Sequence, residues 1–484
     1  MNYKMMGRLI AQILLAEAAF MVPALIISLA GQDSQAILGF ALSILVILAV
    51  AGMLMFFARK AKKGFYAREG MVCVGLAWIV MSLLGCLPFW ISREIPFYLD
   101  GLFEIVSGFT TTGASILSNV EGLSNGMLYW RSFSHWVGGM GVLVFLLAVV
   151  PVSGRNDGFT MHLLRAESPG PNVAKLVPRI RSTAGILYIL YIVLTVVDFL
   201  LLIVGKMPVL EAVCTAFGTA GTGGFGVKND SMASYSPYIQ NVCTVFMLLF
   251  GVNFSCYYLL IMKQVKSVYK DEELRLYVGM VLGSVLLIVI NLRGFYGTLE
   301  ETIRHAFFQV ASIVTTTGFA TTDFDLWPGF SKSILLCLMV VGACAGSTGG
   351  GIKVSRLLIL CKSARKELQL YLHPNAVKKI KMDDKAIPHE VVRATNMFLF
   401  VYIMIFVTSL LIISLDNLDM VSNFTAIAAT LNNIGPGLGA VGPTGNFNTY
   451  SYISKAVMIF DMLAGRLEVF PLLLLFKRDT WRKF

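Results

Sequence analysis

The sequence predicts an all-α polytopic membrane protein with an internal fourfold repeat, and three observations carry that prediction. Composition comes first: 56% of the 484 residues are hydrophobic and only 14% are charged, against about 25% charged in soluble domains. Mean hydropathy is +0.74, so most of the chain must avoid water. Second, apolar stretches of about 20 residues, the length of a bilayer crossing, recur along the whole chain. Third, short glycine-bearing strings return at intervals of 95 to 117 residues. The net charge of +11 raises nucleic acid as a partner. The basic residues sit between apolar segments rather than on one solvated face, however, so no nucleic acid is expected.

Taken in order, ten apolar segments lie at roughly 9–30, 36–58, 70–91, 130–152, 184–204, 239–262, 276–293, 331–360, 394–415 and 452–476. Ahead of the first, Lys4 and Arg8 precede Leu9 to Ala30, and Ser28-Leu29-Ala30 has the small residues of a cleavage site. A run of roughly twenty residues exceeds the ~7–15 of a signal core. A second uncharged run follows at once, so a retained helical hairpin is expected. Connectors at 59–68, 153–183, 263–275 and 361–393 are basic, whereas the opposite set carries Asp33, Glu94, Asp100, Asp230, Asp323 and Asp416. The cytoplasmic bias of cations then puts both termini and the basic loops in the cytoplasm. The eight cysteines sit in or beside apolar stretches without a C-x-x-C pair, and read as packed free thiols.

Four connections on the side away from the basic loops (92–129, 205–238, 294–330 and 416–451) are too long for hairpins. Each opens with a short apolar stretch such as Leu99 to Thr110 or Ala306 to Thr316. A short apolar helix followed by glycine is the pattern of a re-entrant segment. Aligning the four units brings Thr110-Thr111-Thr112-Gly113, Ala220-Gly221-Thr222-Gly223, Thr315-Thr316-Thr317-Gly318 and Asn432-Asn433-Ile434-Gly435 into register. Repetition at a fixed period means copies of one structural unit. Irregular backbone at membrane depth survives only where something satisfies its carbonyls. A ring of carbonyl oxygens does this by replacing the hydration shell of a monovalent cation. Glycine permits the positive φ that turns successive carbonyls toward one axis.

These motifs resemble the potassium-translocating subunits of the bacterial Trk/Ktr/HKT superfamily, and the Trk type most of all. The resemblance runs through Ser107 to Ser115, Trp136 to Gly141, Thr315 to Phe319, Gly342 to Lys353, Asn432 to Gly437 and Ala464 to Glu468. It implies a two-helix accessory domain at 1–64 and four span, pore-helix, span repeats at 65–155, 184–267, 272–365 and 394–484, arranged pseudo-fourfold around a central cation pore. It further implies that Thr111, Thr112, Gly113, Gly221, Thr222, Gly223, Thr316, Thr317, Gly318, Asn433, Ile434 and Gly435 form a potassium filter. In related plant members a serine at the first filter position goes with sodium; glycine at all four positions here implies potassium. A bacterial cytoplasmic membrane, a homodimer and a separate nucleotide-binding ring of the TrkA type are implied too, with no cofactor in this chain. The loops 153–183 and 361–393 are candidate docking surfaces, although the ordinary positive-inside bias explains them equally.

The resemblance also makes Gly346, Ser347, Thr348, Gly349, Gly350 and Gly351 a gate below the filter, with Arg466 as an electrostatic barrier in the path. Three consecutive glycines cost about 1 kcal/mol each relative to alanine in a helix, so 331–360 is expected to break there, as a gate or as a packing kink. Arg466 lies mid-span, where a cation faces protein or a wet cavity; pairing with Asp461 or Glu468 is the alternative. Glu17 and Asp198 are intramembrane carboxylates without a nameable partner. A repeat-built symporter and a membrane enzyme are the competing classes. The first usually has two halves, and the second lacks any H-E-x-x-H or G-x-S-x-G here.

Overall fold

The computed structural model describes residues 1–59, 67–141, 180–375 and 378–482. Helices α1 (Tyr3–Gly31) and α2 (Ser34–Phe57) form the expected hairpin. It docks on α3 (Ala67–Gly85), α4 (Leu87–Ile91) and α6 (Asn125–Met140). Repeat one continues from α3 and α4 through α5 (Tyr98–Phe109) to α6. Repeat two is α7 (Ile180–Val204), α8 (Val209–Gly221), α9 (Pro237–Gly251) and α10 (Phe254–Ile261). After the short α11 (Val265–Lys270), repeat three is α12 (Glu272–Asn291), α13 (Leu299–Val314), α14 (Gly329–Val341) and α15 (Val354–Leu372). A two-stranded hairpin, β1 (Lys381–Met382) with β2 (Lys385–Ala386), precedes repeat four. That repeat is α16 (His389–Ile413), α17 (Met420–Leu431), α18 (Tyr452–Arg466) and α19 (Phe470–Phe476).

Six of the expected spans are helices long and apolar enough to cross a membrane: Tyr3–Gly31, Ser34–Phe57, Arg68–Ile91, Gly185–Val204, Glu272–Asn291 and His389–Asp416. Their outer faces are apolar. On α7, Ile189, Val193, Val196, Leu200 and Val204 are exposed while Tyr191, Asp198 and Leu202 are buried. That is a greasy stripe at helical spacing, facing lipid rather than a core.

The other expected spans are not continuous rods. Segment 130–152 begins as α6, and its remainder lies outside the described residues. The glycine run splits 331–360 into α14 and α15, as the sequence led us to expect. Two further breaks correct the sequence reading. In 239–262, α9 and α10 meet at 89°, because Val252 is extended and the Asn253 side chain accepts from the Ser255 N–H (2.9 Å), starting a fresh helix. In 452–476, Glu468 and Val469 both have positive φ (54° and 69°), a rare geometry for a β-branched residue.

The cyclic arrangement is visible in the packing. Each re-entrant helix lies against the helix that follows the re-entrant turn in the preceding repeat: α8 on α6, α13 on α9, α17 on α14 and α5 on α18. Acidic residues stand at the N-terminal ends of all four, namely Asp100, Glu211, the pair Glu300 and Glu301, and the cap Asp419. They complement the positive end of each helix dipole. Asp419 accepts from the Ser422 hydroxyl (2.5 Å) and N–H (2.9 Å), and these bonds hold its carboxyl below the usual range.

Candidate functional site

The four re-entrant helices end in one and the same way. At each end an N–H reaches back three residues and the next N–H reaches back five. Thr111 bonds Gly108 and Thr112 bonds Ser107; Thr222 bonds Thr219 and Gly223 bonds Gly218. In the third copy Thr316 bonds Ile313 and Thr317 bonds Ser312; in the fourth Asn433 bonds Thr430 and Ile434 bonds Ala429. The first residue of each pair is left-handed, with φ of 55°, 53°, 60° and 56° for Thr111, Thr222, Thr316 and Asn433. Threonine rarely adopts that region, so three of the four turns hold locally strained backbone.

Two residues further on, a glycine has positive φ: Gly113 (81°), Gly224 (75°), Gly318 (88°) and Gly435 (99°). The second turn therefore corrects the sequence register by one residue. Gly224 is the equivalent of Gly113, and Gly223 is the equivalent of Thr112, Thr317 and Ile434. The signal was available, since Gly224-Phe225 matches Gly318-Phe319, but aligning on the first glycine after threonine concealed it.

The turns close on one another. A Cβ placed on Gly113 would strike the carbonyl of Gly223, and one on Gly224 that of Thr317. One on Gly318 would strike Ile434, and one on Gly435 would meet the Thr112 carbonyl oxygen at 2.9 Å. Each turn thus abuts the next in cyclic order, with the carbonyls of Thr112, Gly223, Thr317 and Ile434 at the four contacts. All four positive-φ glycines also line one cavity of about 200 Å³. Arg131, which lines it, forms a buried ion pair with Glu104 (2.6 Å). Glu104 accepts from the Ile116 N–H (3.1 Å), and Arg131 donates to the Gly226 carbonyl (2.9 Å), tying the strands that leave turns one and two. Glu104→Gln is expected to destabilise the folded protein by about 3–5 kcal/mol, the cost of leaving a buried cation unpaired. A lowered detergent-phase Tm is the measurement, and an unchanged Tm would refute the brace.

Below the ring lies the glycine loop between α14 and α15. Its Gly350 N–H donates to the Thr316 Oγ1 (2.6 Å) and its Gly351 N–H to the Asn432 carbonyl (3.0 Å). Glu273 receives the Ala345 N–H (2.6 Å) and the Ser355 N–H (3.1 Å), fixing the two ends. Arg466 donates to the carbonyls of Thr348 (2.8 Å), Gly139 (2.9 Å) and Gly138. Glu468 pairs with Arg356 (2.5 Å), and Asp461 accepts from Ser409 (2.8 Å). Lys353 donates to the Gly349 carbonyl, inside the same loop. The structure thus brings the four predicted turns against one another and places Gly350 and Gly351 of the predicted gate loop in hydrogen-bond contact with Thr316 and Asn432. Glu17 and Asp198 stand apart, buried and with carboxylate oxygens that have no hydrogen-bond partner among the described residues.

Four re-entrant turns closed into a ring inside a lipid-facing helical scaffold define a membrane protein built to pass a small ion. The sequence profile of the TrkH cation transport protein family matches residues 37–482, and the chain belongs to that family, one of transporters rather than enzymes. It is 36% identical to the Trk system potassium uptake protein TrkH of Salmonella typhimurium over 489 residues, covering 100% of both chains. It is 37% identical to the protein of that name from Escherichia coli strain K12, with the same coverage. The crystal structure of the potassium transporter TrkH from Vibrio parahaemolyticus superimposes with a TM-score of 0.88 at 33% identity, covering 100% of both chains.

Proposed function

We propose that this chain takes up potassium across a bacterial cytoplasmic membrane. A filter is formed by Thr111 to Gly113, Gly221 to Gly224, Thr316 to Gly318 and Asn433 to Gly435. The observation that carries the reading is the cyclic closure of the four turns, which leaves a ring of backbone carbonyls where lipid and helix cannot satisfy them. Four helix C-termini of about −0.5 charge each aim at that ring, which favours a cation and rejects an anion. The side bearing the 200 Å³ cavity is the outer entrance, and both termini are cytoplasmic. Residues 346–351 with Arg466 form the gate below.

The chain works as a homodimer with a cytoplasmic nucleotide-binding ring of the TrkA type. One docking candidate, 361–393, is described apart from residues 376 and 377, as the end of α15, the β hairpin and the start of α16. Most of the other, 153–183, lies outside the described residues. The test is potassium and sodium flux into liposomes holding the purified chain, with and without the ring protein. Potassium uptake in excess of sodium is expected; uptake of neither cation under both conditions overturns the reading.

A further inference from the structure

The four turns are braced differently, and in turn two the hydroxyl pair of turns one and three is missing. In turn one, the Thr112 and Thr110 hydroxyls pair at 2.8 Å, and Thr110 donates to the Val106 carbonyl (2.6 Å). Turn three repeats this with Thr317, Thr315 (2.8 Å) and Ala311 (2.7 Å). In turn four Asn432 accepts from the Tyr402 hydroxyl (3.0 Å) and donates to the Ala428 carbonyl (2.9 Å). Turn two has Gly221 and Gly223 at the two threonine positions and so lacks the hydroxyl pair; its one side-chain bond within the turn is from the Thr222 hydroxyl to the Gly221 carbonyl (2.6 Å).

His135 of α6 occupies the missing place. The three atoms nearest to a Cβ built on Gly223 all belong to the His135 ring. That ring is fully buried and bonds at both nitrogens: Nδ1 to the Gly108 carbonyl (2.8 Å) and Nε2 to the Phe225 N–H (3.2 Å). A carbonyl only accepts and a backbone N–H only donates, so the ring is the neutral tautomer with its proton on Nδ1. Phe225 follows the turn glycine, and its ring lies 4.1 Å from the imidazole, centroid to centroid. The imidazole thus links the first re-entrant helix to the backbone just beyond turn two. We propose that His135 is a positioning residue for ion selectivity: it holds the glycine-rich second turn at the radius of the other three, in place of the hydroxyl pair that turns one and three supply.

This inference rests on the proposed filter, and the experiment separates the two. Potassium and sodium fluxes are compared in liposomes for parent and variants, each first shown to be monodisperse. A parent with no preference for potassium would refute the filter itself. With a selective parent, His135→Leu, which keeps bulk but makes neither bond, is expected to lower the preference about tenfold or more, the order of losing one buried hydrogen bond. His135→Gln, whose amide both donates and accepts, is expected to retain it. Gly223→Thr collides with the ring in the parent but finds the space vacated in His135→Ala, so the double variant should discriminate better than either single one. If His135→Leu does not remain monodisperse, this pairwise comparison decides alone. A parental preference in His135→Leu, or a Gly223→Thr defect equal in both backgrounds, would overturn the assignment.

Discussion

Serine in place of Gly113, Gly224 or Gly318 is expected to abolish most of the preference for potassium over sodium, whereas serine in place of Gly101 leaves it intact. Two independent effects act at the first three positions. Their φ values of 81°, 75° and 88° lie where a Cβ is strained, at about 1–2 kcal/mol per residue. The added Cβ would also overlap the carbonyl of the next turn, at Gly223, Thr317 and Ile434 respectively. None of these three neighbours is the movable end of a side chain, so the backbone of the ring must shift. Coordination by carbonyls depends on their number and placement, and a shift of a few tenths of an ångström in one strand reaches its neighbours through the cyclic contacts. Gly101 is a sharp control. It lies within α5, and a Cβ there finds its nearest atoms at 3.8 Å, an ordinary contact. Flux ratios of the four variants against the parent decide the matter. Equal selectivity at Gly101 and at the turn glycines would refute the filter.

Much of this architecture was legible because membranes simplify the code. Length and apolarity located the spans, and basic loops supplied a candidate orientation. The threonine and glycine strings exposed three of the four turns in correct register. The second turn slipped because glycine occupies three of its four key positions, so a pattern keyed to glycine has no unique alignment there. Phe225 and Phe319 would have fixed it. The break at Val252 follows a lone Gly251 and takes its direction from the Asn253 cap, whereas the break at Glu468-Val469 has no glycine at the turn and arises from backbone held by tertiary contacts. His135 was visible only as one histidine among five. Its partners, Gly108 and Phe225, are 27 and 90 residues away, and no local pattern joins them. The sequence offers Asp461 and Glu468 as partners for Arg466. The structure gives those carboxylates other partners and points the guanidinium at carbonyls of the glycine loop and of α6.

That last geometry makes the gate testable in two ways. Deleting Gly346 to Gly351 removes the N–H donors that reach Thr316 and Asn432, but none of the ring carbonyls at Thr112, Gly223, Thr317 and Ile434. Basal potassium flux is therefore expected to rise while the preference over sodium is largely kept. Arg466→Ala is expected to raise flux as well, for two reasons. It releases the Thr348 carbonyl, by which the arginine holds the loop against Gly138 and Gly139. If Arg466 lines the proposed path, the change also removes a fixed positive charge from it. At an effective dielectric of about 20, two unit charges about 6 Å apart repel by about 3 kcal/mol. That is roughly two orders of magnitude in rate, the ceiling for the effect. A purely structural arginine predicts the opposite outcome, a variant that expresses poorly or unfolds because buried partners are abandoned. Flux is accordingly measured only on protein shown to be folded and monodisperse. If folded deletion and arginine variants both conduct no faster than the parent, the loop is a packing kink and the gate lies elsewhere, while the carbonyl ring stands on its own test.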